Sequence, residues 1–263
     1  MALRDTLRFH RRLLATNLAA STANRGAFAT QVVFMCLNDA IWFYVWVVFF
    51  GRYESIGGFR LADMALLQGV LATSFGVWVV LAAGGRELAR LVTDGDLDTF
   101  LVQPKPVLSH VVASKTQANG FGDLLYGPAL LVGFADLDAA SWPWVPVGVL
   151  AGATALVAFN VLVHAIAFWA GPFQPFARQL NEILITVTGY PDRLFHGPMK
   201  VVLFVVLPAG IVAWLPVRLV REPTLGTLGA VLGTAAALVL VALAVFRLGL
   251  RRYESGSRFG SVQ

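Results

Sequence analysis

The sequence predicts an all-α membrane protein with six transmembrane helices, and three observations point to this fold class. The chain is 57% hydrophobic and 13% charged, whereas roughly a quarter of the residues in soluble globular domains are charged. Six apolar stretches approach the ~20 residues that a helix needs to cross the hydrocarbon core of a bilayer. Basic residues gather on one side of the resulting layout, as the positive-inside rule expects.

The first 26 residues predict an amphipathic helix that lies in the membrane interface. One face of this helix carries Leu3, Leu7, Leu14 and Leu18. The arginines of the segment are Arg4, Arg8, Arg11, Arg12 and Arg25. An apolar face in the acyl boundary with arginines among the headgroups is typical of an interfacial helix. A mitochondrial-type transit peptide is also rich in arginine and poor in acids, and that alternative stays open.

The predicted spans form one transmembrane domain, residues 27–247. They cover residues 27–50, 62–84, 109–134, 144–170, 200–217 and 225–246. The third span is the most polar, and the fifth is short and closes with Pro216. In the long loop after the fourth span, residues 176–188 predict an amphipathic helix on the cytoplasmic surface. Residues 248–263 remain as a cytoplasmic tail.

An even number of spans places both termini on the same side of the membrane. That side also holds residues 86–115 and 171–200, and it carries 16 of the 20 basic residues. The other side carries Arg52, Arg60, Arg218 and Arg221. This bias predicts that both termini and the polar loop 86–109 are cytoplasmic. Topology therefore accounts for the net charge of +5, and no nucleic-acid partner is expected.

Residues 86–109 form a polar loop between two spans, and their pattern predicts a short helix. Asp94-Gly95 is a turn signal, and the Asp96 carboxylate is placed to cap the helix that follows. The residues that share an apolar face are Leu97, Phe100 and Leu101. Pro104 helps to end the helix. The apolar ridge either docks on a partner or packs against its own protein, and periodicity leaves both open.

The run GDLDTFLVQPKPVL in this loop resembles the G-x-L-D-x-x-L-x-x-P signature of the permease subunits of ABC-2-type exporters. Two further stretches agree, Gly189-Tyr190-Pro191 through Pro208 and the segment from Gly249 to Ser255. The similarity covers most of the chain in order, and it is to the six-span group of drug- and antibiotic-type exporter permeases. It implies the ABC-2 (type V) exporter fold in the plasma membrane of a bacterium.

The resemblance implies a transport subunit that has no catalytic activity and binds no cofactor itself. The polar loop would carry a coupling helix that docks on a separate ATPase, which binds ATP and magnesium and is present in two copies. The implied coupling residues are Glu87, Asp94, Gly95, Asp96, Leu97, Asp98, Phe100, Leu101 and Pro104. A second permease subunit is expected to form a heterodimer with this chain among the membrane lipids, and a homodimer stays open. The exported compound would be drug-like, lipid-like or otherwise amphipathic.

Other chemistry leaves few traces in the sequence. It contains no P-loop of the form G-x-x-x-x-G-K-[ST], no H-E-x-x-H motif and no Cys/His cluster. One alternative function is a membrane-embedded enzyme that modifies a lipid or isoprenoid and holds magnesium and diphosphate on Asp94, Asp96 and Asp98. No second acidic cluster in the sequence faces these aspartates, and helix docking explains the same pattern. A channel is a weaker alternative, because no filter-like segment is found.

Polar residues inside the predicted spans must face protein or water, since an ionised side chain in mid-bilayer costs roughly 2.5–3.5 kcal/mol. The candidate substrate path consists of Asn38, Asp39, Trp42, Asn119, Asp123 and Tyr126. Interhelical hydrogen bonds that fix packing are the alternative role for the polar members, and core or interface packing is the alternative for Trp42. Packing is the favoured role for Asn160 and His164, four residues apart in the fourth span.

Overall fold

The computed structural model describes residues 3–56 and 58–253, and this part of the chain is helical without a β-strand. Its α-helices are α1 (Leu3–Thr22), α2 (Arg25–Phe50), α3 (Leu61–Leu81), α4 (Leu88–Thr93), α5 (Asp98–Leu101), α6 (Val107–Ala113), α7 (Gly120–Phe134), α8 (Trp144–Ala165), α9 (Ala167–Ala170), α10 (Gln174–Thr188), α11 (Gly197–Val205), α12 (Leu215–Arg221) and α13 (Leu225–Arg252). The other helical turns are Ala83–Glu87 and Asp192–Leu194, which are 3-10 helices, and Gly210–Trp214, which is a π-helix. The all-α prediction is confirmed.

Four helical segments in the described residues are long and apolar enough to cross a membrane. They are α2, α3, the continuous stretch Trp144–Ala170 made of α8 and α9, and α13. Helix α7 is apolar but has only 15 residues. The first, second, fourth and sixth predicted spans therefore correspond to such helices, whereas the third and fifth do not.

The third predicted span, 109–134, is interrupted between α6 and α7. In the interruption, Thr116 Oγ1 donates to the carbonyl of Val80 at 2.8 Å. The Gln117 N–H donates to the carbonyl of Val79 at 2.9 Å. Because the last carbonyls of a helix have no partner within it, these polar residues satisfy the end of α3 instead of continuing their own helix.

The fifth predicted span, 200–217, is also interrupted and consists of α11, a π-helical turn and α12. Pro208 lies between α11 and the π-helical turn, where it offers no backbone N–H to a continuing helix. Pro216 lies in the first turn of α12. The Trp214 indole Nε1 donates to the carbonyl of Tyr190 at 3.0 Å, which holds this broken segment against the chain that leaves α10.

The bundle has two ends, which we call the loop end (residues 83–117) and the turn end (residues 51–60, between α2 and α3). Helix α10 runs from the first toward the second. At its start, Gln174 Oε1 accepts from a backbone N–H of α4 at 3.1 Å. Beyond its last residue, the Tyr190 ring lies 5.8 Å from the Trp46 ring near the end of α2. The prediction of a cytoplasmic-surface helix at this position is therefore wrong, because the helix runs along the bundle.

Two basic residues consequently lie at the turn end and not on the predicted side. The Arg193 guanidinium lies 5.8 Å from the centre of the Phe59 ring. Lys200 Nζ donates to Asp192 Oδ2 at 2.9 Å. Moving the two residues changes the predicted distribution from 16 against 4 to 14 against 6, with Arg258, outside the described residues, kept where it was predicted. The bias still favours the loop end.

Helix α3 and the α8–α9 stretch form the centre of the bundle, since 72% of the apolar segment of each is buried. The corresponding fractions are 11% for α2 and 17% for α13. Helices α2 and α13 therefore present most of their apolar surface outward.

Close approach of α3 and α7 depends on glycine, because a Cβ at Gly76 would lie 2.8 Å from the Gly120 carbonyl.

Asn160 and His164 lie in the buried centre of α8, with 1% and 0% of their surface exposed. His164 Nδ1 lies 2.9 Å from the Asn160 carbonyl oxygen and 3.2 Å from the Asn160 amide nitrogen. These contacts join residues of the same helix turn, so the predicted interhelical hydrogen bonds of the two residues stay a prediction.

The N-terminal helix α1 packs across the loop end of the bundle. Asn17 Nδ2 donates to the carbonyl of Ala113 in α6 at 2.9 Å, and the Phe9 ring lies 5.0 Å from the His110 ring. Its position in the membrane interface stays a prediction. At the other terminus α13 continues to Arg252, and residues 254–263 of the predicted tail lie outside the described residues.

Candidate functional site

Glu87 is the centre of an ion-pair network at the loop end. Its carboxylate accepts from Arg90 Nε at 3.0 Å and lies 3.5 Å from Lys115 Nζ and 3.8 Å from Arg178 Nη2. The three partners come from α4, from the chain after α6 and from α10. Burial alone would raise the pKa of Glu87, but the hydrogen bond from Arg90 and the charges of Lys115 and Arg178 outweigh it and lower the pKa below its usual range. Glu87 therefore joins three parts of the chain as a stable anion.

Arg90 extends this network to the acidic residues of the polar loop. Its Nη1 lies 3.3 Å from Asp94 Oδ2 and 3.1 Å from Asp96 Oδ2. Gly95 between them has a φ of +76°, which fits the predicted turn. The predicted role of Asp96 as a helix cap is wrong, because α5 begins two residues later, at Asp98, and the Asp96 carboxylate binds Arg90. Asp98 lies beside Tyr253, at the end of α13, and burial together with this carboxylate raises the pKa of Tyr253 to about 12.

The predicted apolar ridge of the loop is divided between two environments. Leu97 is fully buried in a core cluster with Leu88 and Phe246. Phe100 is half-buried, and its ring lies 4.9 Å from the His110 ring. The next two residues face outward, with 38% of Leu101 and 83% of Val102 exposed. Leu97 is thus a contact with its own protein, and the apolar surface open to a partner is shifted to Leu101 and Val102, with exposed Pro104 close behind.

Helix α10 is attached to the loop end through three side chains spaced four residues apart. Gln174 Nε2 donates to the carbonyl of Arg86 at 2.8 Å. Arg178 pairs with Glu87, and Glu182 Oε1 lies 3.6 Å from Arg86 Nη2. Sequence reasoning missed this polar stripe, although its spacing places all three side chains on one helical face. The stripe makes α10 the element that connects the loop to the interior of the bundle.

A polar cavity of about 410 Å³ lies between α2, α3, α7 and α10. Its walls include five of the six predicted path residues, which are Asn38, Asp39, Trp42, Asp123 and Tyr126. Asn119 is not among the described lining residues, because it precedes α7 near the loop end. Residues of the wall that sequence reasoning missed are Gln68, Phe75, Glu182 and Tyr190. The structure brings the predicted set together, while its role as a path stays a prediction.

Two carboxyl groups face each other in this cavity. Asp39 and Asp123 lie close enough that a proton on one would hydrogen-bond to the other. Asn38 Nδ2 donates to Asp39 Oδ1 at 3.4 Å. Asp123 is only 2% exposed, and no basic side chain is among the described lining residues of the cavity. A buried carboxylate without a basic partner is costly.

The acidic residues of the loop do not form an evident metal site. Among residues 3–56 and 58–253, no group of three or more His, Cys, Asp or Glu side chains could hold a metal ion. Arg90 contacts one carboxylate oxygen of Asp94 and one of Asp96, in addition to Glu87.

Comparison with known proteins gives one informative result. The family model described as "ABC-2 family transporter protein" matches residues 36–257, a range that includes the loop, the cavity and α13. No curated protein and no solved structure matches the chain. The matched family is the one that the G-x-L-D-x-x-L-x-x-P run indicated, so that resemblance is confirmed.

Proposed function

The chain belongs to the ABC-2 family of transporter proteins, and on this premise we propose that it is the permease subunit of an exporter that couples through the loop 86–109 to a separate ATPase. The family implies association with an ABC ATPase. That partner would hold ATP and magnesium, and this chain would supply the passage for the substrate.

The observation that carries the proposal is the double contact of α10. At the loop end this helix contacts the loop through Gln174, Arg178 and Glu182. Along the bundle its residues Glu182, Ile185 and Thr186 line the polar cavity. Force applied to the loop would therefore reach a wall of the cavity through one rigid element. Such a connection suits alternation between two states of a bundle.

The distribution of charge supports a cytosolic position for the loop end. Of the 20 basic residues, 14 fall on that side after the correction described above, and an excess of basic residues marks the cytoplasmic side of a membrane protein. ATP is available on that side. The proposal therefore places both termini in the cytosol and the chain in the plasma membrane of a bacterium.

The partner surfaces follow from the exposed groups. The outward apolar residues Leu101 and Val102 would enter a groove of the ATPase, with the neighbouring aspartates at the rim. Two ATPase copies and a second permease would complete the exporter. The outward apolar faces of α2 and α13 provide surface for lipid and for that second permease, which we propose to be a related chain in a heterodimer.

The coupling role is tested by the double variant Leu101→Asp, Val102→Asp in the complex co-purified with its ATPase. We expect at least a tenfold loss of substrate-stimulated ATP hydrolysis, since two desolvated charges in an apolar groove cost roughly 3 kcal/mol or more. The matched control is Leu225→Asp, an 89% exposed leucine at the turn end, which should retain stimulation. Unchanged stimulation in the double variant would reject coupling through this surface. Turnover of a lipid by the purified chain with magnesium alone would favour the enzyme alternative.

A further inference from the structure

We propose that the polar cavity binds an organic cation that carries apolar or aromatic groups. The inference rests on the proposed export function, because it names the chemical class of the exported compound. It is argued from the charge, the aromatic walls and the size of the cavity.

The charge of the cavity is negative and largely uncompensated from within. Its described lining residues include Asp39, Asp123 and Glu182 but no lysine, arginine or histidine. Glu182 already pairs with Arg86. Apart from a proton that the two carboxyl groups can share, Asp39 and Asp123 have no positive partner among the described lining residues. A cation beside the pair would compensate its negative charge.

A shared proton does not remove the negative charge of the Asp39–Asp123 pair. If Asp39 and Asp123 share one proton, the pair still keeps a single negative charge in a buried site. The buried Tyr126 hydroxyl also lacks a partner within the described chain. As a hydroxyl it can rotate and accept from a protonated amine or orient toward a carboxylate. The site can therefore bind a cation whether or not Asp39 and Asp123 share a proton.

The walls of the cavity distinguish an organic cation from a metal ion. Five aromatic residues contribute to the lining, which are Trp42, Trp46, Phe75, Tyr126 and Tyr190. Aromatic faces attract ammonium and related cations, with a gain of about 0.5–2 kcal/mol per contact, whereas a hard metal ion prefers several oxygen ligands.

The size of the cavity is consistent with such a ligand. About 410 Å³ falls within the range of roughly 300–1,000 Å³ that accommodates drug-sized molecules. A small ammonium ion would leave most of the aromatic surface without contact. An anion of the same size would meet two carboxylates without a compensating base. The volume, the aromatic lining and the negative charge of the cavity together favour a bulky, singly charged cation.

The test compares two probes of equal shape and opposite charge, tetraphenylphosphonium and tetraphenylborate, in equilibrium binding to the purified full chain in nanodiscs. We expect saturable binding of the phosphonium only. The double variant Asp39→Asn, Asp123→Asn should weaken it by at least roughly tenfold, because it removes the negative charge of the pair whether or not the two carboxyl groups share a proton. The single variant Asp123→Asn, which keeps one carboxylate, should keep part of the affinity. The exposed carboxylate at the turn end provides the matched control, Glu54→Gln, which should bind as the unaltered protein does.

Equal binding of the two probes, or phosphonium binding that survives the double variant, would overturn the inference. Monodisperse elution of each variant shows that lost binding is not lost folding, and Asp39→Asn alone replaces the double variant if the latter does not fold. The assay contains no ATPase, so its failure is separate from that of the proposed function. A negative result together with loss of coupling in the loop variant would leave a permease with a different substrate. If the chain binds the phosphonium but the loop variant keeps full ATPase stimulation, the assignment of the cavity stands and the coupling mechanism is rejected.

Discussion

The loop end and the polar cavity both contain carboxylates, but the two regions treat them in opposite ways. At the loop end, Glu87 contacts three basic residues, and Asp94 and Asp96 contact Arg90. In the cavity, Asp39 and Asp123 have each other and no basic residue among the described lining. The first arrangement joins three parts of the chain through opposite charges, whereas the second leaves two acids without a basic partner.

Helix α10 contacts both regions. The loop-end pairs attach α10 at Arg178 and Glu182, and Glu182 and the next turn of the same helix line the cavity. Under the proposed function, this connection would transmit motion of the loop to the cavity. The contrast would fail if neutralising a loop-end acid and neutralising the cavity acids changed the free energy of unfolding in the same direction.

Neutralising the loop-end acid should have the largest effect. Glu87→Gln removes charge from three ion pairs at a side chain that is 19% exposed, and we expect a loss of about 2 kcal/mol in the free energy of unfolding, since a hydrogen bond to a charged group contributes roughly 1.5–3 kcal/mol. Equilibrium unfolding in mixed detergent micelles measures this loss. Glu54→Gln is the control at an exposed position. A variant as stable as the unaltered protein would show that the network is not structural.

Neutralising the cavity acids should act in the opposite direction and to a smaller extent. The double variant Asp39→Asn, Asp123→Asn removes the buried negative charge of the pair, which has no compensating base in the described residues, and we expect a gain of about 1 kcal/mol in the same unfolding measurement. The gain should disappear when tetraphenylphosphonium is present, because the ligand stabilises only the protein that binds it. A destabilised variant would mean that the pair has a structural role like that of Glu87, and the contrast between the regions would be lost.

The sequence contained enough information for the long helices and for most of the cavity. Apolar length alone located α2, α3, the α8–α9 stretch and α13. The cost of a charge in the bilayer selected Asp39 and Asp123, because a buried acid requires either a partner or a function wherever the fold places it. These inferences hold because they depend on the chemistry of the residues and not on tertiary contacts.

The errors arise where a tertiary partner changed the local preference. Thr116 and Gln117, between α6 and α7, bind carbonyls of α3, and the apolar segment that hydropathy had treated as continuous is broken at Pro208. Helix α10 looked like a surface helix because its polar stripe faces the loop-end network. Periodicity placed Leu97 and Leu101 on one face, but only packing decides that Leu97 is core and Leu101 is exposed.

The smallest expected effect, a dependence on pH, sharpens the comparison further. The pKa of Glu87 is lowered in the folded protein, so its contribution to stability is present above the usual glutamate pKa and is lost as the pH falls through the folded value. The stability difference between the unaltered protein and Glu87→Gln should therefore be constant near neutral pH and shrink below about pH 4.3. Unfolding curves collected from neutral to acidic pH measure this difference. Because both proteins share every other titrating group, a difference that grew with acidity would show that the ion pairs of Glu87 do not hold the loop end together.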